Sequence, residues 1–290
     1  MTTFTRRGAI GLLGGAATLP VLGRPALANT TMTVGALRFT SHAASFVAYE
    51  RGYFADAGLD VEFKFFQAAQ PMAVAIASGD ADYAVTAISG GLISLAEKGA
   101  AKVIGGALSE EPGIDGQKIL ASNTAFDGGL TSPAMLDGKR FAMTQAGSSF
   151  HYMGARIAAA EGVEMQFVPL QKVGAIIGAM KSGQVDAWSI VPHIAKALAG
   201  GGAVQIIGDV ADYIPDYQVT TVFTSARNAA NERAQTQAFL SAFARGADDF
   251  NAALVDMTAG ADAAEDMVRL IHKYVYTDRQ YEKAAPSIRN

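Results

Sequence analysis

The sequence predicts an α/β protein built from two similar lobes, and three observations lead to this prediction. Short apolar stretches with strand-like alternation are followed repeatedly by stretches with helical spacing, an order typical of mainly parallel sheets covered by helices. One pattern occurs twice, over 40–82 and 144–186, at a constant spacing of 104 residues. Between and after the two copies lie turn-rich or extended segments, 107–138 and 211–225, that can carry the chain from one lobe to the other.

The repeat consists of identical residues that recur without any shift in spacing. An alanine- and glycine-rich chain can match itself by chance, which is the alternative interpretation, but similar apolar pairs such as Leu59 with Val163 also fall in register. The identical pairs are Thr40/Thr144, Ser45/Ser149, Phe46/Phe150, Ala55/Ala159, Gly58/Gly162, Phe63/Phe167, Gln67/Gln171, Ala75/Ala179, Ser78/Ser182, Gly79/Gly183 and Asp82/Asp186. We interpret them as two lobes of one design.

The predicted elements follow the chain in order. Ser45 is expected to cap a first helix and Gly58 to end it, because hydroxyl side chains accept hydrogen bonds from free helix N–H groups and glycine tolerates the left-handed conformation of a helix stop. Asp82 and Asp186 are expected to fix the turn that leads into each following strand. Strands are predicted over 32–37, 59–66, 82–86, 102–106, 118–121 and 218–223 and helices over 72–77, 88–98, 231–254 and 263–276.

These elements divide the chain into four parts. Residues 1–28 are predicted to be an export signal, 29–118 the first lobe, 119–218 the second lobe, and 219–290 a return to the first lobe with C-terminal helices. The chain then passes twice between the lobes, and two crossing segments make a hinge. The cleft between the lobes is therefore the expected working part.

The N-terminus has the composition of an export signal. Arg6 and Arg7 precede an uncharged stretch, and Ala26-Leu27-Ala28 offers a small-residue cleavage site after Ala28. Paired arginines resemble a twin-arginine signal, while Ala9 leaves ordinary Sec export open. A permanent anchor is the other alternative, but the uncharged stretch contains Pro20 and is short for a membrane span.

Composition excludes several functions. The chain has 290 residues, 50% hydrophobic and 17% charged, with no cysteine, so disulfides, thiolate nucleophiles and thiolate metal ligands are impossible. Its net charge is −4, and becomes −7 without the three arginines of 1–28, so nucleic acid is not expected as a partner. We predict a monomer that takes no cofactor.

Four loops at the carboxyl ends of predicted strands form the candidate site. They span 38–45, 86–91, 144–151 and 189–193, contain Arg38 and three histidines but no acid, and lead into helix N-termini that attract anions. Such capped loops are also ordinary in α/β proteins, which is the structural alternative. The predicted ligand-binding residues are Arg38, Thr40, Ser41, His42, Thr86, Ser89, Gly147, Ser148, Ser149, His151, Trp188, Ser189 and His193.

The candidate residues suggest binding rather than catalysis. Arg38 would pair with an anion, and Trp188 would either stack on a flat ligand or pack the hinge, as would Tyr213 and Tyr217. The histidines lack metal-site spacing, so no metal is predicted. There is no GxSxG, P-loop, GxGxxG or pair of loop carboxylates, so no catalytic residue is predicted.

Four motifs resemble the substrate-binding proteins of ABC importers, in particular the nitrate/sulfonate/bicarbonate family, which includes taurine-, alkanesulfonate- and thiamine-precursor-type members. They are AYERGYFADAGLDV at 48–61, SGDAD at 78–82, LDGKRFA at 136–142 and SGQVDA at 182–187. The resemblance covers about 32–280. Where relatives often carry Glu-Pro, this chain has Val191-Pro192-His193, which favours an anionic ligand over a cation or amine.

The resemblance implies a periplasmic-binding-protein fold in which two lobes close on a ligand and present it to a membrane permease with a cytoplasmic ATPase. The ligand would be small, either anionic (a sulfonate, a carboxylate or similar) or aromatic. The mature chain would be periplasmic and not inserted in the membrane. The alternatives are an enzyme, or a sensor partner of a membrane receptor, on the same scaffold; turnover of a bound compound would distinguish the enzyme.

Overall fold

The computed structural model describes residues 30–111 and 114–289. The predicted export signal therefore lies outside the described residues. Within them the chain forms two five-stranded sheets, each covered by helices, in agreement with the predicted two-lobed α/β architecture.

The strands are β1 (Thr30–Ala36), β2 (Leu59–Phe65), β3 (Tyr83–Ala87), β4 (Ala101–Glu110), β5 (Lys118–Ser122), β6 (Arg140–Met143), β7 (Gln166–Pro169), β8 (Ala187–Ile190), β9 (Val204–Asp209) and β10 (Tyr217–Ser225). The α-helices are α1 (Ala43–Glu50), α2 (Tyr53–Asp56), α3 (Ala69–Ser78), α4 (Gly90–Glu97), α5 (Asn123–Asp127), α6 (Ser149–Glu161), α7 (Val173–Ser182), α8 (Pro192–Gly200), α9 (Ala226–Asn231), α10 (Arg233–Phe250), α11 (Ala261–His272) and α12 (Tyr281–Arg289). Short 3-10 turns lie at Thr40–His42, Pro133–Met135 and Val210–Asp212, and a π-helical turn at Asn251–Val255 continues α10.

The two sheets have the same topology. The first has the strand order β2-β1-β3-β10-β4 and the second β7-β6-β8-β5-β9. In each sheet the first three strands are parallel, and the fourth is antiparallel to both of its neighbours. The antiparallel strand is in each case the one that arrives from the other lobe: β5 enters the second sheet and β10 enters the first. Each lobe is thus a mainly parallel sheet into which one crossing strand is inserted.

The sequence repeat corresponds to this structural repeat. Helices α3 and α7 begin and end exactly 104 residues apart, and each ends at a left-handed glycine, Gly79 or Gly183. Asp82 accepts a hydrogen bond from the Thr33 backbone N–H at 2.8 Å, and Asp186 accepts one from the Arg140 backbone N–H at 2.8 Å. Each aspartate lies directly before one strand and accepts a hydrogen bond from the backbone of the neighbouring strand, in keeping with the role expected from the sequence.

Of the C-terminal helices, α10 and α11 pack on the first lobe, where they cover α1, while α12 packs on α11 and also contacts α8 of the second lobe. Phe46 of α1 stacks on Tyr274 with ring centroids 4.5 Å apart, and Phe54 stacks on Phe239 of α10 at 5.2 Å. Gly246 of α10 approaches α1 so closely that an added Cβ would lie 2.2 Å from the Ala44 carbonyl oxygen. The second lobe has a separate apolar core around Trp188 and Phe141.

Some predicted details of the helices and strands differ from the observed structure. Ser45 does not cap the first helix: α1 already begins at Ala43, and the Ser45 hydroxyl is buried without a hydrogen-bond partner. Strand β4 extends to Glu110, beyond the predicted end at residue 106, since it pairs with β10 along its length. Helix α12 is a further element that the sequence pattern did not suggest. The predicted lobe boundaries at 118/119 and 218/219 lie within two residues of the starts of β5 and β10, and the division at those points stays a prediction.

No described helix has both the length and the apolar composition required to cross a bilayer.

Candidate ligand-binding site

A cavity lies between the two sheets, at the carboxyl ends of the parallel strands. Both lobes and both crossing segments contribute to its wall. The lining residues are Leu37, Phe39, Ser41, His42, Ala68, Ala69, Gln70, Thr86, Ala87, Ser89, Gln117, Thr144, Gln145, Ser148, Ser149, Phe150, Val173, Ile190, Val191, Val219 and Thr220. The space in which the centre of a water molecule can move is about 40 Å³, room for about three waters. The lobes are therefore close together in this structure.

Direct contacts between the lobes close the rim of the cavity. The Gly90 backbone N–H, at the start of α4, donates to the Gly147 carbonyl at 2.7 Å. Gly147 has φ 77°, a conformation that glycine adopts without strain. On another side, the ring of Phe39 meets the ring of His193 edge-on at 5.7 Å, and the Tyr276 hydroxyl lies 3.0 Å from His193 Nδ1. These contacts hold the first lobe and the C-terminal segment against the second lobe.

The cavity wall offers polar groups without partners. Among the described residues, the Thr86 hydroxyl and the Gln117 side-chain nitrogen are buried and have no partner in full hydrogen-bond geometry. Since buried polar groups in proteins are nearly always paired, such atoms beside a cavity indicate a place where a ligand completes the hydrogen bonding. Ser89 and Ser148 each accept a backbone N–H, at 3.2 and 3.3 Å, as helix caps. Their hydroxyl protons remain able to donate into the cavity.

His42 adds a further donor. Its Nδ1 accepts the Leu37 backbone N–H at 3.3 Å, so in the neutral ring the proton is on Nε2. Burial lowers the pKa of His42 to about 3, because the charged ring would lose its hydration. At neutral pH the ring is uncharged. None of the residues that line the cavity then carries a charge, and the surplus of donors favours a ligand that accepts hydrogen bonds.

Six of the predicted binding residues line this cavity together: Ser41, His42, Thr86, Ser89, Ser148 and Ser149. They come from the loops after β1, β3 and β6, because the carboxyl ends of neighbouring parallel strands share one edge of a sheet. The loop after β8 contributes Ile190 and Val191 to the wall.

Four other predicted residues lie at or beyond the rim. Arg38 is exposed, with its guanidinium 3.8 Å from the centroid of the Phe65 ring and donating to the Tyr274 carbonyl at 3.0 Å. It does not line the cavity, and the predicted pairing with an anion has no geometric support. Thr40 lies in the 3-10 turn outside the wall. Gly147 makes the interlobe contact, and its N–H donates to His151 Nδ1 at 3.1 Å, so His151 holds that turn.

Trp188, Ser189 and His193 are fully buried but do not line the cavity. Trp188 packs edge-on against Phe150 at 5.5 Å in the core of the second lobe, which favours packing over ligand stacking. The Tyr276 hydroxyl donates to the His193 carbonyl at 3.1 Å, so it must accept from His193 Nδ1–H. His193 Nε2 is then a buried acceptor without a partner, and burial lowers the pKa of His193 to about 3.

Sequence reasoning missed Phe39, three glutamines and the strand β10 contribution to the wall. Gln145 lay inside a loop that was already suspected. Gln70 follows β2, whose carboxyl end reaches the same sheet edge as β1 and β3, so the strand order would have indicated it. Gln117 lies in the turn-rich segment between the lobes, where no residue pattern predicts a ligand contact.

Among the described residues, no group of three or more histidine, aspartate and glutamate side chains could hold a metal ion.

A family model described as NMT1/THI5 like matches residues 39–253. The match covers most of the chain, so the chain belongs to this family. No curated protein matches it in a direct sequence comparison.

Solved structures share its fold. The alkanesulfonate-binding protein SsuA from Xanthomonas axonopodis pv. citri, bound to MOPS, has a TM-score of 0.71 and 18% identity over 90% of this chain and 84% of its own. The aliphatic sulphonate-binding SsuA from Escherichia coli has a TM-score of 0.68 and 19% identity, over 89% and 82%. The nitrate-binding protein NrtA from Synechocystis PCC 6803 has a TM-score of 0.69 and 17% identity, over 88% of this chain and 69% of its own. These matches confirm the predicted periplasmic-binding-protein fold.

Proposed function

We propose that this protein is an extracytoplasmic solute-binding protein of an ABC importer, which holds a small ligand between its lobes and closes about its two crossing segments. One observation carries the proposal: both lobes and both crossing segments line a single cavity in which buried hydrogen-bonding groups lack partners. A ligand that pairs with groups of both lobes stabilises the closed arrangement relative to the open one, as ligand-driven hinge closure requires.

The ligand class follows from the donors. The Thr86 and Ser89 hydroxyls, the His42 Nε2–H and the N-terminus of α6 can all donate or attract negative charge. A small oxyanion such as a sulfonate, a carboxylate or nitrate would satisfy them, with Phe39 and Phe150 against its apolar part. The named structural relatives that bind sulfonates and nitrate agree with this class. A flat aromatic compound with carbonyl acceptors is the second candidate, because two aromatic rings line the wall.

The proposed role is binding without chemical conversion. Among the described residues that line the cavity there is no carboxylate and no cation, and their one histidine is neutral with one nitrogen already occupied. General acid–base chemistry needs a group that changes protonation near neutral pH. The enzyme alternative would therefore have to use other residues. A sensor partner of a membrane receptor would bind its ligand in the same way.

The remaining parts of the proposal concern the cellular setting. We propose twin-arginine-type or Sec export, cleavage after Ala28, a periplasmic location and a monomer that delivers its ligand to a permease. The division into lobes at 29–118 and 119–218, with 219–290 returning to the first lobe, belongs to this proposal.

Thermal unfolding with candidate ligands tests the binding function. The mature chain, Asn29 onward, would be heated with nitrate, bicarbonate, alkyl- and arylsulfonates, carboxylates and pyrimidines, and any compound retained from expression would be identified by mass spectrometry. A ligand at about 1,000 times its Kd adds about 4 kcal/mol to the free energy of unfolding. This corresponds to an upward Tm shift of several degrees.

A matched pair of variants tests the site. Thr86→Val removes the unpaired hydroxyl and should weaken ligand binding about tenfold without lowering the Tm of the free protein. Thr224→Val removes a hydroxyl of β10 that donates to the Asp82 carbonyl at 2.6 Å, so it should lower the Tm and leave affinity unchanged. If wild type retains no compound and no candidate shifts its Tm, the binding function is contradicted; if Thr86→Val binds as tightly as wild type, the cavity is the wrong site.

A further inference from the structure

Gln117 is the one residue of the first crossing segment that lines the cavity, within the part of the chain that the structure describes. Only 1% of its surface is exposed, and among the described residues its side-chain nitrogen has no partner in full hydrogen-bond geometry. The amide does interact with the Glu110 carboxylate, where it opposes the rise that burial causes in the pKa of Glu110. A primary amide nitrogen has two protons to donate. Glu110 can take up only part of this donor capacity, and leaving the rest buried and unpaired is unfavourable. The position of Gln117 beside the cavity therefore suits an acceptor atom of a bound solute.

The backbone of Gln117 is fixed from both lobes. Its N–H donates to both carboxylate oxygens of Glu110, at 3.0 and 3.1 Å, and Glu110 is the last residue of β4 in the first sheet. Its carbonyl accepts the N–H of Val210 at 2.9 Å, directly after β9 of the second sheet. Gln117 is therefore a point at which the first crossing segment is hydrogen-bonded to both lobes.

Glu110 also reaches the second crossing segment. In the pairing of β4 with β10 it lies opposite Tyr217, the first residue of β10. The chain passes Glu110 closely at Gly116, where an added Cβ would lie 2.0 Å from a Glu110 carboxylate oxygen. The carboxylate is thus packed directly against the segment that carries Gln117, and it interacts with both the backbone and the side-chain amide of Gln117.

From this arrangement we propose that Gln117 is a ligand-binding residue carried by the hinge, which donates its side-chain amide to an acceptor atom of the solute, and that Glu110 is its positioning residue. The proposal rests on the proposed binding function and adds a link to closure. A ligand bound to the amide is connected through one residue to the Glu110 carboxylate and to Val210. Occupancy of the cavity therefore stabilises the hinge geometry of the closed form.

A second glutamine provides a built-in contrast. Gln218 lies in the other crossing segment, and its side-chain nitrogen donates to the carbonyls of Leu108 and Thr220 at 2.9 and 2.7 Å. Its side-chain oxygen accepts from the Ser109 hydroxyl at 3.2 Å. Gln218 does not line the cavity. Its amide is satisfied by the protein itself, whereas the Gln117 nitrogen is not.

The test compares Gln117→Met with Gln218→Met, which make the same change in size and polarity at the two crossings. Stability of the ligand-free proteins would be measured by urea unfolding, and binding of sodium nitrate, methanesulfonate and MOPS by calorimetry. For Gln117→Met we expect a urea midpoint at or above that of wild type and a Kd raised about tenfold or more for any probe that wild type binds. For Gln218→Met we expect a lower midpoint and a Kd within about twofold of wild type.

The positioning role of Glu110 is tested by a double-mutant cycle. Glu110→Gln should raise the Kd in the wild-type background and change it much less when residue 117 is already methionine, because both changes then act through the same amide. If Glu110→Gln raised the Kd by the same factor in both backgrounds, Glu110 would act independently of Gln117.

The outcomes separate the two proposals. Tight binding of a probe by wild type and Gln117→Met alike would overturn the role of Gln117 while the binding function stands. If wild type binds none of the three probes, the urea midpoints still decide: a midpoint lowered as far in Gln117→Met as in Gln218→Met means a structural glutamine and overturns the inference, and an unchanged midpoint supports it.

Discussion

Helices α1 and α6 begin in sequences that match at a spacing of 104 residues, but the two helices start differently. In the first lobe α1 begins at Ala43, and Ser45 is buried inside it. In the second lobe Ser148 caps α6, so Ser149 becomes the first helical residue. Phe46 stacks on Tyr274 of the C-terminal region, whereas the matching Phe150 packs on Trp188 and lines the cavity.

The difference arises from what covers each helix. Helices α10 and α11 pack on α1, and Gly246 allows close backbone approach there. Within the part of the chain that the structure describes, the C-terminal helices do not cover α6 in this way, and the side of α6 that carries Arg156 is exposed. The same local pattern therefore gives a mostly buried helix in one lobe, and a half-exposed helix beside the candidate site in the other. A repeat determines the elements, while the non-repeated C-terminal segment determines their environment.

The largest expected effect is at the α1–α10 contact. Gly246→Ala places a methyl group 2.2 Å from the Ala44 carbonyl oxygen and 2.8 Å from the Ala48 nitrogen, which are backbone atoms that cannot rotate away. We expect a loss of about 3 kcal/mol in the free energy of unfolding, measured by urea titration.

Alanine substitutions at two other helix glycines serve as controls for Gly246→Ala. In Gly154→Ala of α6 the methyl group meets the rings of Phe167 and Phe141 at 2.6 and 2.9 Å, and rings can shift, so a loss of about 1–2 kcal/mol is expected. In Gly178→Ala of α7 the methyl group meets nothing within 4 Å, so a gain of about 0.5–1 kcal/mol is expected. An equal loss in Gly246→Ala and Gly154→Ala would contradict the distinction between the covered and uncovered helices.

Acid should weaken the protein through one buried histidine from each lobe. Burial lowers the pKa of both His42 and His193 to about 3, against about 6.5 in the unfolded chain. Between these values the unfolded chain binds more protons, so the stability that is present above pH 6.5 is lost as the pH falls toward 3. From pH 6.5 to 5 the two residues together should remove about 3 kcal/mol. His42→Gln or His193→Gln should each remove about half of that dependence, as followed by urea unfolding at several pH values. The same pH dependence in wild type and both variants would show that neither ring is buried uncharged.

The last comparison concerns the two aspartates of the repeat, which differ in their partners. Asp186 accepts the Arg140 backbone N–H and also the Arg140 guanidinium at 3.0 and 2.7 Å. These hydrogen bonds hold the pKa of Asp186 below its usual range. Asp82 accepts the Thr33 backbone N–H, and it has no arginine partner of this kind among the described residues. Asp186→Asn should therefore cost about 2 kcal/mol and Asp82→Asn about 1 kcal/mol, because the partly exposed arginine is screened by water. A larger loss in Asp82→Asn would reverse this assignment.

The sequence by itself determined the lobes and most of the elements. Alternating apolar residues and the repeat at 104 residues were sufficient, because strand and helix periodicity are local properties and a repeated pattern repeats its fold. Ser41, His42, Thr86, Ser89, Ser148 and Ser149 could be placed at one site for the same reason, since loops after neighbouring parallel strands share a sheet edge. Family membership agreed with the motifs that the sequence contains.

Only the tertiary structure decided where the long side chains point and which residues of the crossing segments reach the cavity. Arg38 stands in a candidate loop, but the aromatic ring of Phe65 and the Tyr274 carbonyl, 236 residues away in sequence, attract its guanidinium to the surface. Trp188 packs against Phe150 in the core of the second lobe. Gln117 lines the cavity because hydrogen bonds with Glu110 and Val210 fix its backbone there. These outcomes depend on contacts between residues distant in the chain, and no local periodicity records them.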